Sequence, residues 1–442
     1  MKKRAFTLLL SLILIFSLSI AVFAEDTSEI DKADTGFILI AAALVFFMTP
    51  GLALFYGGMV RRKNVLNTML NTYVMVGLVT IQWVFVGYSI AFGQDAFGGI
   101  FGNFDYFGFN NVGLEASGTI PHMAFAVYQL MFAIITVGIL TGAFAERIKF
   151  SVLIVFAILW TTLVYDPLAH WVWSADGWLL KMNSLDFAGG TVVHISSGVS
   201  GLVAAIVIGK RKGYGKVPII PHNIPFVFIG AAILWFGWFG FNAGSALESG
   251  ALATSAFVVT HIAAATALFS WVLVEFFHRG KATLLGAATG GVVGLVAITP
   301  ASGFVTPLSA IIIGLVVSPL CYISISYIKS KVGYDDSLDA FGCHGIGGIW
   351  GAVATGLFAT KSVNPDGQDG LFYGNPGQMI PQLVGIGATL LISIVGTIVI
   401  LKVISLFTSL RVETIEEDEG LDISQHGEDA YPDFNTSNES II

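Results

Sequence analysis

Two histidines stand where apolar chain surrounds them: His194 in LDFAGGTVVHISSG and His344 in DAFGCHGIGGIWG. Each run is glycine-rich and has a carboxylate ahead of its histidine, Asp186 by eight residues and Asp339 by five. An ionisable side chain inside a bilayer costs about 2.5–3.5 kcal/mol on insertion scales, so its presence points to a pathway or a proton relay. A neutral imidazole carries one donor and one acceptor nitrogen, and two adjacent rings can share a proton. The pair does not read as a metal site. Two nitrogens need a third protein ligand to hold a catalytic metal. Asp186 and Asp339 are expected near opposite membrane faces, and no HExxH or Cys pair occurs. A membrane metalloenzyme is therefore the rival that metal analysis would separate from a transporter; no metal and no cofactor is expected.

The other histidines read differently. His122 and His222 lie near span starts and are expected at the interface, whereas His261, in VVTHIAAA, is read as an interhelical hydrogen-bond donor. Two aromatic stretches accompany the histidines. WFGWFGFNAGSA runs from Trp235 to Ala246 and carries Phe239, Phe241 and Ser245. YQLMFAIITVG places Gln129 and Phe132 inside a span. An interfacial aromatic belt and helix packing are the bland readings of such rings.

The elements that must hold these residues follow from composition. The chain has 442 residues, 55% hydrophobic and 11% charged, with 51 glycines, and a mean hydropathy of +0.80. Soluble domains average about 25% charged residues, so this is a polytopic membrane protein of the all-α class. Its glycines suit helices whose backbones approach closely. Residues 1–24 read as a secretory signal peptide: Lys2, Lys3 and Arg4, an apolar run from Leu8 to Val22, and a Val-Phe-Ala cleavage site. An uncleaved first helix is the alternative. Eleven apolar spans follow, at roughly 36–58, 67–92, 119–143, 150–172, 187–209, 223–243, 252–277, 283–299, 307–328, 340–359 and 379–405. The span at 283–299 is the weakest of them. With the N-terminus outside, fifteen Lys and Arg fall on internal segments and three (Lys32, Lys181 and Lys361) outside, as the positive-inside bias requires. The C-terminus is then cytoplasmic. Neither Cys321 nor Cys343 lies in an exported loop, so no disulfide framework is expected.

The domain boundaries expected are a signal peptide at 1–24, a transmembrane domain at 25–410 and a cytoplasmic acidic tail at 411–442. Past Arg411 there are ten acidic residues and no Lys or Arg, and without them the formal charge moves from −8 to +2. The tail is polar and is not expected to be helical throughout. The basic clusters at Arg61–Lys63 and Lys210–Lys216 are surfaces it can dock against. The eleven spans divide into five, five and one, with His194 on the fifth and His344 on the tenth. Five helices place the second half in inverted orientation, which is a transporter architecture.

At these residues the chain closely resembles the ammonium transporter family, relatives of the Rhesus glycoproteins. The resemblance rests on TPGLALFYGGMVRRKNVLNTML, FAIITVGILTGAFAERIKF, LDFAGGTVVHISSG, GWFGFNAGSA, DAFGCHGIGGIWG and the tail LRVETIEEDEGLDISQHGEDAY, in order over nearly the whole chain. It implies eleven transmembrane helices in two inverted five-helix repeats plus a final helix. It also implies one pore per subunit, a homotrimer, and residence in the plasma or inner cell membrane. It implies an external recruitment site at Phe132, Trp173 and Ser245, a gate at Phe132 and Phe241, pore histidines His194 and His344, and an entrance acid at Asp186. A PII-type signalling protein at the cytoplasmic face is the implied partner, beside the lipid bilayer; nucleic acid is not. His170-Trp171, just ahead of Trp173, departs from the expected pattern, in which Trp173 has a smaller or less aromatic neighbour.

The chemistry fits that resemblance. Ammonium and potassium are alike in size, but ammonium brings four hydrogen-bond donors, and a serine hydroxyl accepts one. Aromatic faces add cation–π attraction of about 2 kcal/mol or more when desolvated. Neither term repays carrying a bare cation into hydrocarbon, at a Born cost of roughly tens of kcal/mol. Deprotonation at the gate and passage of ammonia are therefore expected, with the histidines offering a polar line and a proton relay. Asp186 is expected to hold the entrance by accepting backbone N–H bonds, a direct ammonium contact being the less favoured role. A purely sensory protein and a Rhesus-type gas channel are the remaining rivals.

Overall fold

A computed structural model describes residues 29–432. The expected signal peptide and the acidic start at Glu25-Asp26 lie outside the described residues. Each of the eleven apolar runs is a helical segment: α1 Lys32–Met59, α2 Arg62–Phe92, α3 His122–Phe144, α4 Phe150–Lys181, α5 Gly190–Ile208, α6 Ile224–Ala246, α7 Ala251–Arg279, α8 Leu284–Ile298, α9 Pro307–Val332, α10 at 341–358 and α11 Pro376–Ser405. Among the described residues, nine of these are long and apolar enough to cross a membrane by themselves. The exceptions are α8, with 15 residues, and the glycine-rich α10. Two short helices, α12 Thr414–Glu419 and α13 Leu421–His426, follow in the tail. A two-stranded hairpin, β1 Ala116–Ser117 and β2 Ile120–Pro121, closes the loop before α3.

Small residues set the helix spacing. A Cβ on Gly51 of α1 would come 2.6 Å from Ile233 of α6, and one on Gly230 of α6 would come 2.4 Å from the Phe55 nitrogen of α1. The two backbones therefore run in direct contact, which bulkier residues would forbid. The same device joins α5 to α10, where a Cβ on Gly198 would lie 2.3 Å from the Gly345 nitrogen. Dispersion across such close faces replaces the hydrophobic drive that lipid cannot supply.

Both histidine-bearing helices begin with a π-helical turn, Gly190–Ile195 in α5 and Phe341–Gly345 in α10. Such turns widen the backbone and cluster at functional sites. Each turn is capped by a carboxylate. Asp186 Oδ1 accepts from the N–H groups of Gly189 (2.8 Å) and Gly190 (2.7 Å), and Oδ2 from Thr191 N–H (2.7 Å) and the Thr191 hydroxyl. Asp336 Oδ1 accepts from Ala340 N–H (3.1 Å) and Oδ2 from Phe341 N–H (2.8 Å). The expected pairing of Asp339 with His344 is thus corrected. Asp339 sits at φ 59° with its carboxylate 2.6 Å from Lys329 Nζ, while Asp336 caps the helix. Asp336 precedes His344 by eight residues, the spacing of Asp186 and His194.

A buried ionic cluster ties together the loops at one end of the helix bundle. Arg211 bonds Glu146 (2.9 Å) and Asp335 (2.8 Å), and Arg61 bonds Glu146 from the other side (3.0 Å). Arg147, fully buried, donates to the carbonyls of Gly209 (2.7 Å) and Asp335 (2.6 Å). Burial pushes the Glu146 carboxyl up, but Arg211 and Arg61 outweigh it and hold the group below the ordinary carboxylate value. For Asp335 the contact with Arg211 likewise overcomes burial.

The described part of the tail, to residue 432, lies on this surface rather than extending from it. Arg411 pairs with Glu417, and Lys212 with Asp418. Lys63 Nζ donates to the Glu417 carbonyl (2.8 Å), and the Asp422 carboxylate accepts from Asn67 N–H (2.8 Å). Tyr431 ends the run against His222, whose Nε2 is 3.0 Å from its hydroxyl, and beneath the Arg62 guanidinium.

Candidate functional site

The side chains singled out in the sequence come from α3, α4, α5, α6 and α10 and meet in one file. At one end, Ser245 closes α6 and donates to the Phe241 carbonyl (3.0 Å). Trp173, at the end of the helical turn begun by Asp166, sits edge-on to Phe132 with centroids 5.8 Å apart. Its indole N–H donates to the Asp186 carbonyl (3.0 Å), so the cap of α5 also fixes the Trp173 ring. Phe132 and Phe241 follow at 4.2 Å and 33°, both fully buried. His194 lies next, nearly parallel to Phe241 at 6.1 Å and stacked on Trp238 at 5.4 Å. Beyond it His344 brings its Nδ1 to 3.2 Å from His194 Nδ1.

That last contact has a chemical consequence. Each neutral ring carries one proton, and one of the two occupies the shared Nδ1–Nδ1 hydrogen bond. The ring that accepts must carry its own proton on Nε2, and the ring that donates has a bare Nε2. The pair therefore presents one donor and one acceptor nitrogen to whatever lies beside it, in either arrangement. His194 Nε2 is buried and has no partner among the described residues. A narrow cavity runs alongside, walled by Leu52, Ile135, Ile139, Leu234 and Val292. An unpaired polar nitrogen facing an apolar channel is costly unless a small polar species passes it.

Several contributors are not legible in the sequence. Tyr128, one turn before Phe132, donates to the carbonyls of Gly240 (3.0 Å) and Phe241 (2.9 Å) and lies 3.3 Å from the Ser245 hydroxyl. Trp238 backs His194 and is itself held by Thr299 (2.9 Å). Asp336 does carry a sequence signal: both runs read Asp, seven residues, His. His261 is corrected. It makes no hydrogen bond among the described residues and stands at the exposed side of α7 against the rings of Trp235 and Phe239. His122 instead bonds Tyr88 (2.6 Å) at the start of α3.

A buried file of rings and imidazoles through apolar helices defines a multi-pass membrane transport protein. The family model described as Ammonium Transporter Family matches residues 36–431. The chain is 51% identical over 403 residues to the ammonium transporter of Bacillus subtilis, covering 90% of this chain and 98% of that one. It is 46% identical to ammonium transporter Amt1 of Archaeoglobus fulgidus, over 90% and 99% of the two chains. The crystal structure of Mep2 from Saccharomyces cerevisiae superposes with a TM-score of 0.83 at 37% identity, covering 88% of this chain and 89% of that one. A structure titled Sensor Amt Protein gives 0.83 at 31% identity, over 89% and 98%. The chain belongs to the ammonium transporter family, whose members are transport proteins rather than enzymes.

Proposed function

We propose that the protein captures ammonium at an external site formed by Phe132, Trp173 and Ser245, removes a proton there, and passes ammonia between Phe132 and Phe241 to the His194–His344 pair. The observation that carries this reading is the unbroken file from Ser245 to His344. Ser245 and the ring faces favour a hydrogen-bonding cation. Between Phe132 and Phe241 no polar atom replaces the cation's water, so the charge stays behind. Ammonia accepts and donates, which matches the one donor and one acceptor nitrogen of the imidazole pair. The shared Nδ1–Nδ1 proton gives the released proton a relay.

In this reading α1–α5 and α6–α10 are inverted halves and α11 completes eleven crossings. The common 150-residue offset between Asp186 and Asp336 and between His194 and His344 supports it, as does the packing of α1 on α6 and of α5 on α10. The basic internal loops put the N-terminus outside and the C-terminus in the cytoplasm of a plasma or inner membrane. Residues 1–24 are a cleaved signal peptide, 25–410 the transport domain and 411–442 a regulatory tail. The assembly is a homotrimer whose cytoplasmic face receives a PII-type signalling protein. Transport under regulation is preferred to a purely sensory role because the file is continuous. Electrical current from proteoliposomes under an ammonium gradient tests the reading: no current and no uptake in sealed vesicles would overturn it.

A further inference from the structure

His170 and Trp171, the pair that departs from the expected pattern, form a second constellation at the outer end of α4. The His170 ring is fully buried, and its Nδ1 lies 3.0 Å from the Ala91 carbonyl. A carbonyl oxygen only accepts, so Nδ1 carries the proton of the neutral ring and Nε2 presents a lone pair. That Nε2 has no hydrogen-bond partner and faces Asp95 Oδ1 at 3.7 Å. A lone pair opposite a carboxylate is repulsive; a proton between them turns the contact into an ion pair.

The carboxylate is the hub of a tight external loop. Asp95 Oδ1 accepts from Gly99 N–H (2.6 Å) and Phe97 N–H (3.2 Å), and these donors, Gly99 foremost, hold the carboxyl below its usual value. The loop is braced on the chain that carries Trp173. Trp171 Nε1 donates to the Ile100 carbonyl (2.7 Å). Gly99, at φ +85°, passes so close to the Asp176 carbonyl and the Trp178 nitrogen that a Cβ would lie 2.9 Å from each. Trp178 in turn rests on Trp171 at 5.7 Å. Near His170 the other charged or titratable groups are Asp166, one turn earlier on α4 and bonded to Gln82 (2.6 Å); Tyr165 beside it; Asp176, paired with Lys181 at 3.1 Å; Tyr88, whose hydroxyl is bonded to His122; and His194, engaged with His344. Asp95 is the one that meets the free nitrogen.

We propose that His170 is a positioning residue of the external mouth: with Asp95 it holds one proton, and that proton closes the loop 95–102 onto the segment carrying Trp173. The inference rests on the reading of Trp173 as part of the recruitment site. When the proton leaves, the loop loosens, the Trp173 ring is less fixed, and ammonium capture weakens. Recruitment is therefore sensitive to external pH through a pair that touches no substrate.

The test uses the full chain in proteoliposomes. Half-saturation by ammonium and hydrogen exchange of residues 95–102 are measured from about pH 4.5 to about pH 8, a range wide enough for a buried imidazole, whose titration burial displaces downward. In the wild type, half-saturation should worsen by about threefold to tenfold on raising pH, as removal of one modest interaction would produce, and loop exchange should accelerate. In Asp95→Asn the side chain keeps its acceptor oxygen for Gly99 and Phe97 but has no charge to hold a proton on His170, so both readouts should be flat. His170→Gln should be flat as well, which keeps the test open if Asp95→Asn folds poorly. Both variants tracking the wild type would overturn the proposal. Trp173→Leu with unchanged half-saturation would overturn the recruitment reading alone, since loop exchange reports the proton independently.

Discussion

The Nδ1 atoms of His194 and His344 are 3.2 Å apart, inside hydrogen-bond distance, in a setting where both rings are buried. Neither ring can give up this bond without leaving a polar nitrogen stranded among apolar side chains. Replacing both with leucine should therefore remove the polar line and abolish ammonium-driven current. A single carboxylate, His344→Glu, should admit potassium, because a fixed negative charge repays part of a bare cation's desolvation. Liposome currents in ammonium and in potassium check both. Undiminished ammonium current with potassium still excluded in the double variant would sink the role assigned to the pair.

In the proposed recruitment site Trp173 offers a ring face, while its indole N–H is spent on the Asp186 carbonyl. Trp173→Leu removes a cation–π contact worth on the order of 1–2 kcal/mol, so half-saturation should rise about tenfold while the maximal rate changes little. A concentration series of uptake measures the split. An unchanged half-saturation would move recruitment elsewhere.

Arg211 answers two buried carboxylates, Glu146 and Asp335. Arg211→Ala leaves Asp335 without its ion pair and Glu146 with Arg61 alone, at a cost of about 3–5 kcal/mol, and should lower the melting temperature in detergent. Both carboxyls titrate below their ordinary value in the folded protein. A depressed folded value means stability that is full above the unfolded value, about 4, and is lost as pH falls through the folded one. Wild-type melting should thus be flat at neutral pH and fall only under acid, with Arg211→Ala showing a smaller acid limb because Glu146 keeps Arg61. An identical acid limb in the variant would count against the cluster.

Gly420 joins α12 to α13 at φ +112°, and a Cβ there would lie 2.6 Å from the Lys63 carbonyl. Both the backbone angle and the space exclude a side chain. Gly420→Asp should release the tail from the start of α2 and reduce transport while the assembly mass stays unchanged. Truncation after Arg411 should leave residual transport and remove inhibition by a PII-type protein. Uptake and assembly mass of the two variants decide; wild-type rates with intact inhibition would leave the tail without a regulatory role.

Much of this protein is readable from its sequence because a bilayer is a severe solvent. Backbone groups in hydrocarbon must be satisfied within the segment, so apolar length alone marks helices, and a histidine within one stands out by its cost. The eleven apolar runs, the two histidines and the aromatic stretches around Phe132 and Phe241 are therefore visible without coordinates. What the sequence does not decide is partnership. Whether Asp336 or Asp339 caps α10 depends on the turn at 339 and on Lys329 reaching across it. Arg61, Arg147 and Arg211 count only as positive charge inside, until folding sets them against Glu146 and Asp335 and the Gly209 carbonyl. His170 reads as an anomaly until Asp95, 75 residues earlier, is brought to its free nitrogen. Hydrogen bonds and ion pairs act over a few ångströms, and sequence separation says nothing about such distances; only the packing of glycine-spaced helices creates them.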